Sequence, residues 1–356
     1  MKKNWFDEKI KKFSSIGGYQ KPDLIPNSVK LDSNENYVMP KQFQNDVITS
    51  AKKNSDVREY PLGRIDNLIK VISKFTKVPI SMIGVGNGSD QILDLILSNF
   101  ASKQTKVLTS KPTFGFFEER CKLYSIPLIV IPFSDEMKLN SKDFVTQSKN
   151  ADILYLDSPN NPTGFQFLKT ELQKLIKSFN GLVIIDEAYG EFSEYSLASM
   201  VKNHDNLIVV QTLSKSFGLA GLRLGYFIAN KKFTDTFMSV LQYPYPLSTI
   251  TIESGILALE KSFLMKDAVK NIKIERKRII ENLKKYEAFE VFDSKANFVL
   301  FDAQSSYKRV YSALAEQGIS IRKLGKIGNH TGCLRVTIGT KEMNSKFLLA
   351  IRDLLG

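Results

Sequence analysis

The chain has 356 residues, which is long for one ordinary core, so two domains are expected. Hydrophobic residues make up 43% and charged residues 24%, the balance of a globular protein, and two cysteines (Cys121, Cys333) with two histidines (His204, His330) give neither a disulfide framework nor a metal spacing. Lys and Arg number 50 against 37 Asp and Glu, a net charge of +13, but the lysines are spread along the chain rather than interleaved with aromatics in one block, which reads as a solvated basic surface and argues against a nucleic-acid face.

In chain order, the start is basic but lacks the apolar core of a signal peptide. No apolar run approaches the roughly 20 residues of a membrane span, so a cytoplasmic setting is expected. Residues 1–35 carry little periodicity and are expected to form an arm that packs on the smaller domain. Gly84-Val85-Gly86-Asn87-Gly88-Ser89-Asp90 is a glycine-rich turn that leads into an amphipathic stretch at 91–97. Short, β-branched runs follow at 106–109, 127–131, 153–156, 182–185, 207–210 and 225–228, separated by helix-length segments. That alternation is the pattern of an α/β fold with a mainly parallel sheet covered on both faces. Pro244, Pro246 and Ser248 break it, which bounds a large domain at 36–245. A long helical stretch from about 252 to 285 opens the rest. Strand-like pieces at 290–301 and 332–339, a helix between them and another at 342–354 make 246–356 a smaller α+β domain.

Ligands of such sheets bind at the carboxyl ends of the strands. The polar residues that interrupt the apolar pattern cluster there. Lys215, in Ser214-Lys215-Ser216-Phe217-Gly218, follows the run 207–210 and precedes Arg223 by eight positions. A lysine at the end of a buried strand is poorly placed for a solvated charge and well placed to form a Schiff base with an aldehyde cofactor. Asp186 ends Val183-Ile184-Ile185-Asp186-Glu187-Ala188-Tyr189. Its carboxylate needs a cation or hydrogen bonds if it is buried. A protonated pyridine nitrogen would supply the cation; a helix N-cap is the other reading.

Ser158-Pro159-Asn160-Asn161-Pro162-Thr163-Gly164 fixes a tight turn that can aim Asn161 at the phenolic oxygen of such a cofactor, where Tyr189 can donate too. Gly88, Ser89 and Asp90 open a helix whose N–H groups can hold an anion. Thr212, Ser214 and Arg223 flank Lys215, and Arg223 can grip phosphate with its fork. Phe114 follows a strand end, where it stacks on a pyridine ring or fills the core. Arg322 and Arg335 each punctuate an apolar strand; strand arginines facing a cleft pair with an anionic ligand, and an edge charge or a structural ion pair is the alternative.

Taken in this order, the motifs resemble the fold type I pyridoxal-phosphate aminotransferases. The segments that carry the resemblance are Leu31-Asp32-Ser33-Asn34-Glu35-Asn36, Tyr60-Pro61, 86–90, 158–164, Asp186-Glu187-Ala188-Tyr189, 212–225, Ala296-Asn297-Phe298 and 334–339. They are most similar to the branch of histidine biosynthesis that transaminates L-histidinol phosphate with 2-oxoglutarate. Branches acting on aromatic or broader donors, or decarboxylating threonine phosphate, share the same chemistry-bearing residues.

The resemblance implies pyridoxal 5′-phosphate as cofactor and a seven-stranded, mainly parallel sheet between helices. It also implies a homodimer with shared active sites, with Tyr60 reaching the cofactor phosphate of the partner subunit. Tyr19 and Asn36 would line the substrate site, and Arg335, assisted by Arg322, would hold a substrate anion. Three departures from the family pattern stand out. Tyr37-Val38-Met39-Pro40 follows Asn36 where proline and a Gly-Pro turn are common, Leu62-Gly63 follows Tyr60-Pro61 where an acidic residue is common, and Phe114 stands where tyrosine is usual.

Overall fold

The β-branched runs become strands, and the stretches between them become helices, in a computed structural model that describes residues 2–18 and 21–355. The strands are β1 (Val29–Leu31), β2 (Ile83–Asn87), β3 (Val107–Lys111), β4 (Leu128–Pro132), β5 (Ile153–Asp157), β6 (Leu182–Asp186), β7 (Leu207–Thr212), β8 (Leu224–Ile228), β9 (Glu290–Val291), β10 (Phe298–Asp302), β11 (Ile319–Ile327) and β12 (His330–Thr337). Seven of them form one sheet in the order β2-β8-β7-β6-β5-β3-β4. All run parallel except β8, which is antiparallel to both β2 and β7. Every residue of β5, β7 and β8 is buried, as expected for strands covered on both faces.

The register sets the site. Asp157, the last residue of β5, pairs with Asp186, the last residue of β6, and Asp186 in turn pairs with Val210 of β7. The reversed β8 begins at Leu224, and its Gly225 pairs with Thr212 at the end of β7. Arg223 is therefore delivered to the same edge of the sheet as Asp157, Asp186 and Thr212. The stretch read as a glycine-rich turn is strand β2 followed at once by the helix Gly88–Phe100. Gly88, with φ of 75°, makes that change of direction.

Five strands form a second sheet in the order β1-β11-β12-β10-β9, with β1 parallel to β11 and the other pairs antiparallel. The first 35 residues reach both sheets rather than the smaller one alone. The helix Lys2–Ile16 lies against the helix Gly115–Leu123 beside the large sheet, and Phe13, Ile16, Phe116 and Leu123 line a cleft between them. Further on, β1 joins the smaller sheet. The long helix expected over 252–285 is two helices, Thr249–Glu260 and Ser262–Leu283. Lys261 leaves helical geometry between them, with φ −91° and ψ 25°, and its ammonium pairs with Asp46 of the helix Lys41–Asn54. The first of the two packs on the helices Lys41–Asn54 and Arg64–Thr76. Gly255 brings it so close to β8 that an added Cβ would stand 2.4 Å from a methyl of Leu224. No helix among the described residues is long and apolar enough to cross a membrane.

Candidate active site

A cavity of about 310 Å³ opens at the carboxyl ends of the parallel strands. Its wall brings together Ser89, Asp90, Phe114, Asn161, Asp186, Tyr189, Thr212, Ser214, Lys215, Arg223, Arg322 and Arg335, residues from seven separate stretches of chain. The smaller sheet supplies the two arginines of β11 and β12, and the large sheet supplies most of the rest.

Lys215 sits three residues beyond β7, its Nζ donating to Ser33 O at 3.0 Å and lying 5.9 Å from the centroid of the Tyr189 ring. Tyr189 follows β6; its hydroxyl accepts from Asn34 Nδ2 at 2.8 Å, and burial pushes its pKa up to about 12. Asp186 is buried. Its oxygens accept from Tyr155 Oη at 3.1 Å and the Ala188 N–H at 3.0 Å. Burial, then the charge of Asp157, raises its pKa to about 7. Asp186 lines the cavity; its bond to the Ala188 N–H closes a turn, and it is not a helix N-cap, because the short helix Gly190–Phe192 that follows has Tyr189 at that position.

A cradle of donors lies at the start of the helix Gly88–Phe100. Arg223 Nη2 pairs with Asp90 at 2.8 Å, and its Nη1 lies 3.5 Å from Ser214 Oγ. Thr212 Oγ1 bonds Ser214 Oγ at 3.0 Å. Arg223 itself adopts a left-handed backbone, with φ of 52°. Glycine is needed at 88 and at 225. A Cβ on Gly88 would stand 2.5 Å from Arg223 Nη2, and one on Gly225 would stand 2.3 Å from the backbone nitrogen of Ser89. The helix N-terminus, two hydroxyls and a guanidinium therefore converge, which is an arrangement for a phosphate group.

In the same cavity Arg322 and Arg335 are register partners across β11 and β12. Like charges directly opposite in a ladder are unfavourable unless an anion or other partners offset them. Arg335 is buried, lies 5.0 Å over the ring of Phe298, and donates to Asn161 Oδ1 and, at 2.9 Å, to Asp32 O. The Asn160-Asn161 turn is stapled by Asp157, whose Oδ1 accepts from Thr113 at 2.9 Å and from Asn160 at 2.8 Å, while Oδ2 accepts from the Asn161 N–H at 2.8 Å.

Two residues singled out in the sequence lie elsewhere, and a third falls outside the described residues. Asn36 does not line the cavity; its buried amide donates to Ser216 O at 2.6 Å and accepts from the Val38 N–H, so it grips the segment after Lys215 from behind. Its neighbours Ser33, Asn34 and Glu35 reach the wall instead. Tyr60 is 71% exposed, away from the cavity, its ring stacked on Tyr245 with centroids 4.3 Å apart. Tyr19 falls outside the described residues. Sequence reasoning passed over Asp157 and Asn34 as individual residues; Asn34 stands in a segment it quoted, and Asp157 falls between the run 153–156 and the turn 158–164. The signal for Asp157 was a second carboxylate ending an apolar run, one strand before Asp186.

The residues present fit pyridoxal phosphate. A cationic ring nitrogen beside Asp186 would favour the charged carboxylate against its burial. Lys215, Tyr189 and Asn161 offer the amine and the donors for the aldehyde and phenol side, and the Ser89–Ser214–Arg223 cradle has the donor set for the phosphate.

The family model for aminotransferase class I and II matches residues 26–351. A histidinol-phosphate aminotransferase of Pyrococcus furiosus is 34% identical over 91% of this chain and 92% of its own length. Among solved structures, the histidinol-phosphate aminotransferase from Clostridium acetobutylicum superposes with a TM-score of 0.83 at 27% identity, covering 91% of this chain and 98% of that one. The enzyme of the same name from Sinorhizobium meliloti, in complex with pyridoxal-5′-phosphate, gives a TM-score of 0.83 over 92% of this chain and 90% of that one, and at 22% identity it speaks for the fold alone. The chain belongs to the class I and II aminotransferases, enzymes of the fold type I architecture that work through pyridoxal phosphate.

Proposed function

We propose that the protein transaminates L-histidinol phosphate with 2-oxoglutarate, giving imidazole-acetol phosphate and glutamate, as a cytoplasmic homodimer with shared active sites. The observation that carries this reading is the pair of register-matched arginines, Arg322 and Arg335, lining one cavity with Lys215. Histidinol phosphate has a phosphate and no α-carboxylate, whereas glutamate has two carboxylates. One two-arginine grip would serve a phosphate in the first half-cycle and a carboxylate in the second. The names of the relatives support the same substrate.

Pyridoxal phosphate, when bound, supplies the electron sink that makes the substrate Cα–H acidic. The chain does the rest. Lys215 Nζ would serve as the base that takes the substrate Cα proton and as the acid that returns it. Asp186 would hold the ring nitrogen and favour its protonated form. Tyr189 and Asn161 would donate to the phenolic oxygen, and Phe114 would pack on the ring. Ser89, Thr212, Ser214, Arg223 and the N–H groups that follow Gly88 and Ser89 would hold the phosphate, with Asp90 orienting Arg223. The partner subunit's Tyr60 would complete that cradle. By the family resemblance Tyr19 would border the substrate, and Asn36 steadies the Lys215 segment through Ser216 O.

The test has two parts. Borohydride reduction of the loaded protein should fix a pyridoxyl group on the peptide that contains Lys215, and Lys215→Ala should carry none. Single-turnover absorbance changes with histidinol phosphate, phenylalanine, aspartate and threonine phosphate then rank the donors. Histidinol phosphate should react fastest; a faster reaction with phenylalanine or aspartate, or carbon dioxide released from threonine phosphate, would overturn the substrate assignment.

A further inference from the structure

Asp157 has no part in the chemistry above, yet it ends β5 inside the cavity wall. It is the register partner of Asp186 across the β5–β6 ladder, so the two carboxylates project from neighbouring strands on the same side of the sheet. Both are buried. The hydrogen-bond donors on their oxygens are Thr113, Asn160, Tyr155 and the N–H groups of Asn161 and Ala188, all of them uncharged. Among the described residues, the titratable and charged groups that share the cavity wall with the pair are Tyr189, Lys215, Arg322, Arg335 and Asp90, whose own partner is Arg223, and Tyr155 bonds Asp186 directly.

A buried carboxylate beside another one disfavours double ionisation, because each charge repels its neighbour where little water screens it. Stapling the Asn160-Asn161 turn explains the hydrogen bonds of Asp157 but calls for no second negative charge, since a neutral amide also accepts N–H bonds. We propose that Asp157 is a positioning residue that joins Asp186 in a carboxylate pair, so that the wall can carry two negative charges against one cationic ring nitrogen. The proposal rests on the pyridoxal-phosphate reading for its ligand and on the β5–β6 geometry for the pair itself.

Two consequences follow, one of them independent of the cofactor. Burial raises Asp157 to about 6, and burial with the charge of Asp157 raises Asp186 to about 7. A carboxyl whose folded pKa is raised favours folding at low pH. That contribution is whole below its unfolded pKa, near 4, and is lost as pH rises through the folded value. The cofactor-free protein should therefore lose melting temperature between about pH 5 and pH 8 through this pair. The second consequence is selectivity. A wall with two carboxylates should prefer pyridoxal phosphate over its 1-deaza analogue, in which the ring nitrogen is a carbon and takes no proton.

The experiment compares cofactor-free wild type with Asp157→Asn and, should the amide fold poorly, Asp157→Ser. Melting temperatures are read at pH 5 to 8, and dissociation constants are measured for pyridoxal phosphate and 1-deaza-pyridoxal phosphate. The variant should show a shallower fall of melting temperature with pH, and its preference for the nitrogen-bearing ring should shrink by about tenfold, the effect of one unit in the pKa of the ring nitrogen. Equal weakening for both ligands with an unchanged pH slope would leave Asp157 as a turn staple and overturn the pair. If wild type bound neither ligand, the cofactor reading would fall, and the pH slope alone would still decide whether the pair exists.

Discussion

On the proposed function, Arg335 is the residue on which substrate choice turns. It donates to Asn161 Oδ1 and Asp32 O while lying over Phe298, so packing fixes its fork before any ligand arrives. Lysine would keep the charge and lose the fork. Arg335→Lys should lower kcat/KM by about a hundredfold, near 2.7 kcal/mol, for both histidinol phosphate and glutamate, because the same grip serves both half-cycles. Steady-state kinetics in the two directions check this. A loss confined to one donor would assign the two anions to separate sites. The residue scale is also where the sequence was most legible. Lys215, Asp186, Tyr189 and Arg223 each break an apolar pattern at a strand end, and a polar group placed there has few uses besides the site. Asn36 was less legible, because an asparagine flanked by polar neighbours on an irregular segment carries no period to say which of them faces the cavity. Asn34 and Glu35 do, and Asn36 turns inward to Ser216.

At the scale of elements, the composition of each strand was plain, but their order was not. Chain order cannot show that β8 inserts between β2 and β7, because its pairing with β2 joins residues more than a hundred positions apart. The reversal matters for function, since it carries Arg223 to the carboxyl edge. The break at Lys261 was hidden for a different reason. The helix Thr249–Glu260 is wedged among two helices and β8, so it is apolar on most faces, and its pattern runs into that of the next helix without a proline or glycine to mark the joint. Close contact between elements gives a prediction of its own. A Cβ at position 225 would stand 2.3 Å from Ser89 N and 2.4 Å from Gly88 C, backbone atoms that cannot swing aside. Gly225→Ala should push β8 from the helix start that forms the phosphate cradle. We expect a loss of about 1–3 kcal/mol in denaturant unfolding together with weaker cofactor binding. Unchanged cofactor affinity would mean that β8 and the helix start do not form one unit.

At the scale of the whole molecule, Tyr60 stacks on Tyr245 at the surface, and Val57, Leu62, Val240 and Tyr243, near them in the chain, are exposed as well. A second copy of this chain is the proposed cover, with the partner subunit's Tyr60 reaching the phosphate cradle. A shared site makes a strict prediction for mixed dimers. Lys215→Ala lacks the amine but keeps Tyr60, and Tyr60→Ala keeps the amine but lacks the phenol. In a dimer of one chain of each kind, one site would receive Lys215 from one chain and Tyr60 from the other, and the second site would lack both. Random mixing makes about half of the dimers mixed, so about a quarter of all sites should be intact. Assayed at limiting cofactor, where loss of a phosphate contact matters most, the refolded mixture should exceed the summed activities of the two variants kept apart. No gain on mixing, with dimers present by sedimentation, would place Tyr60 in the cradle of its own chain or in none.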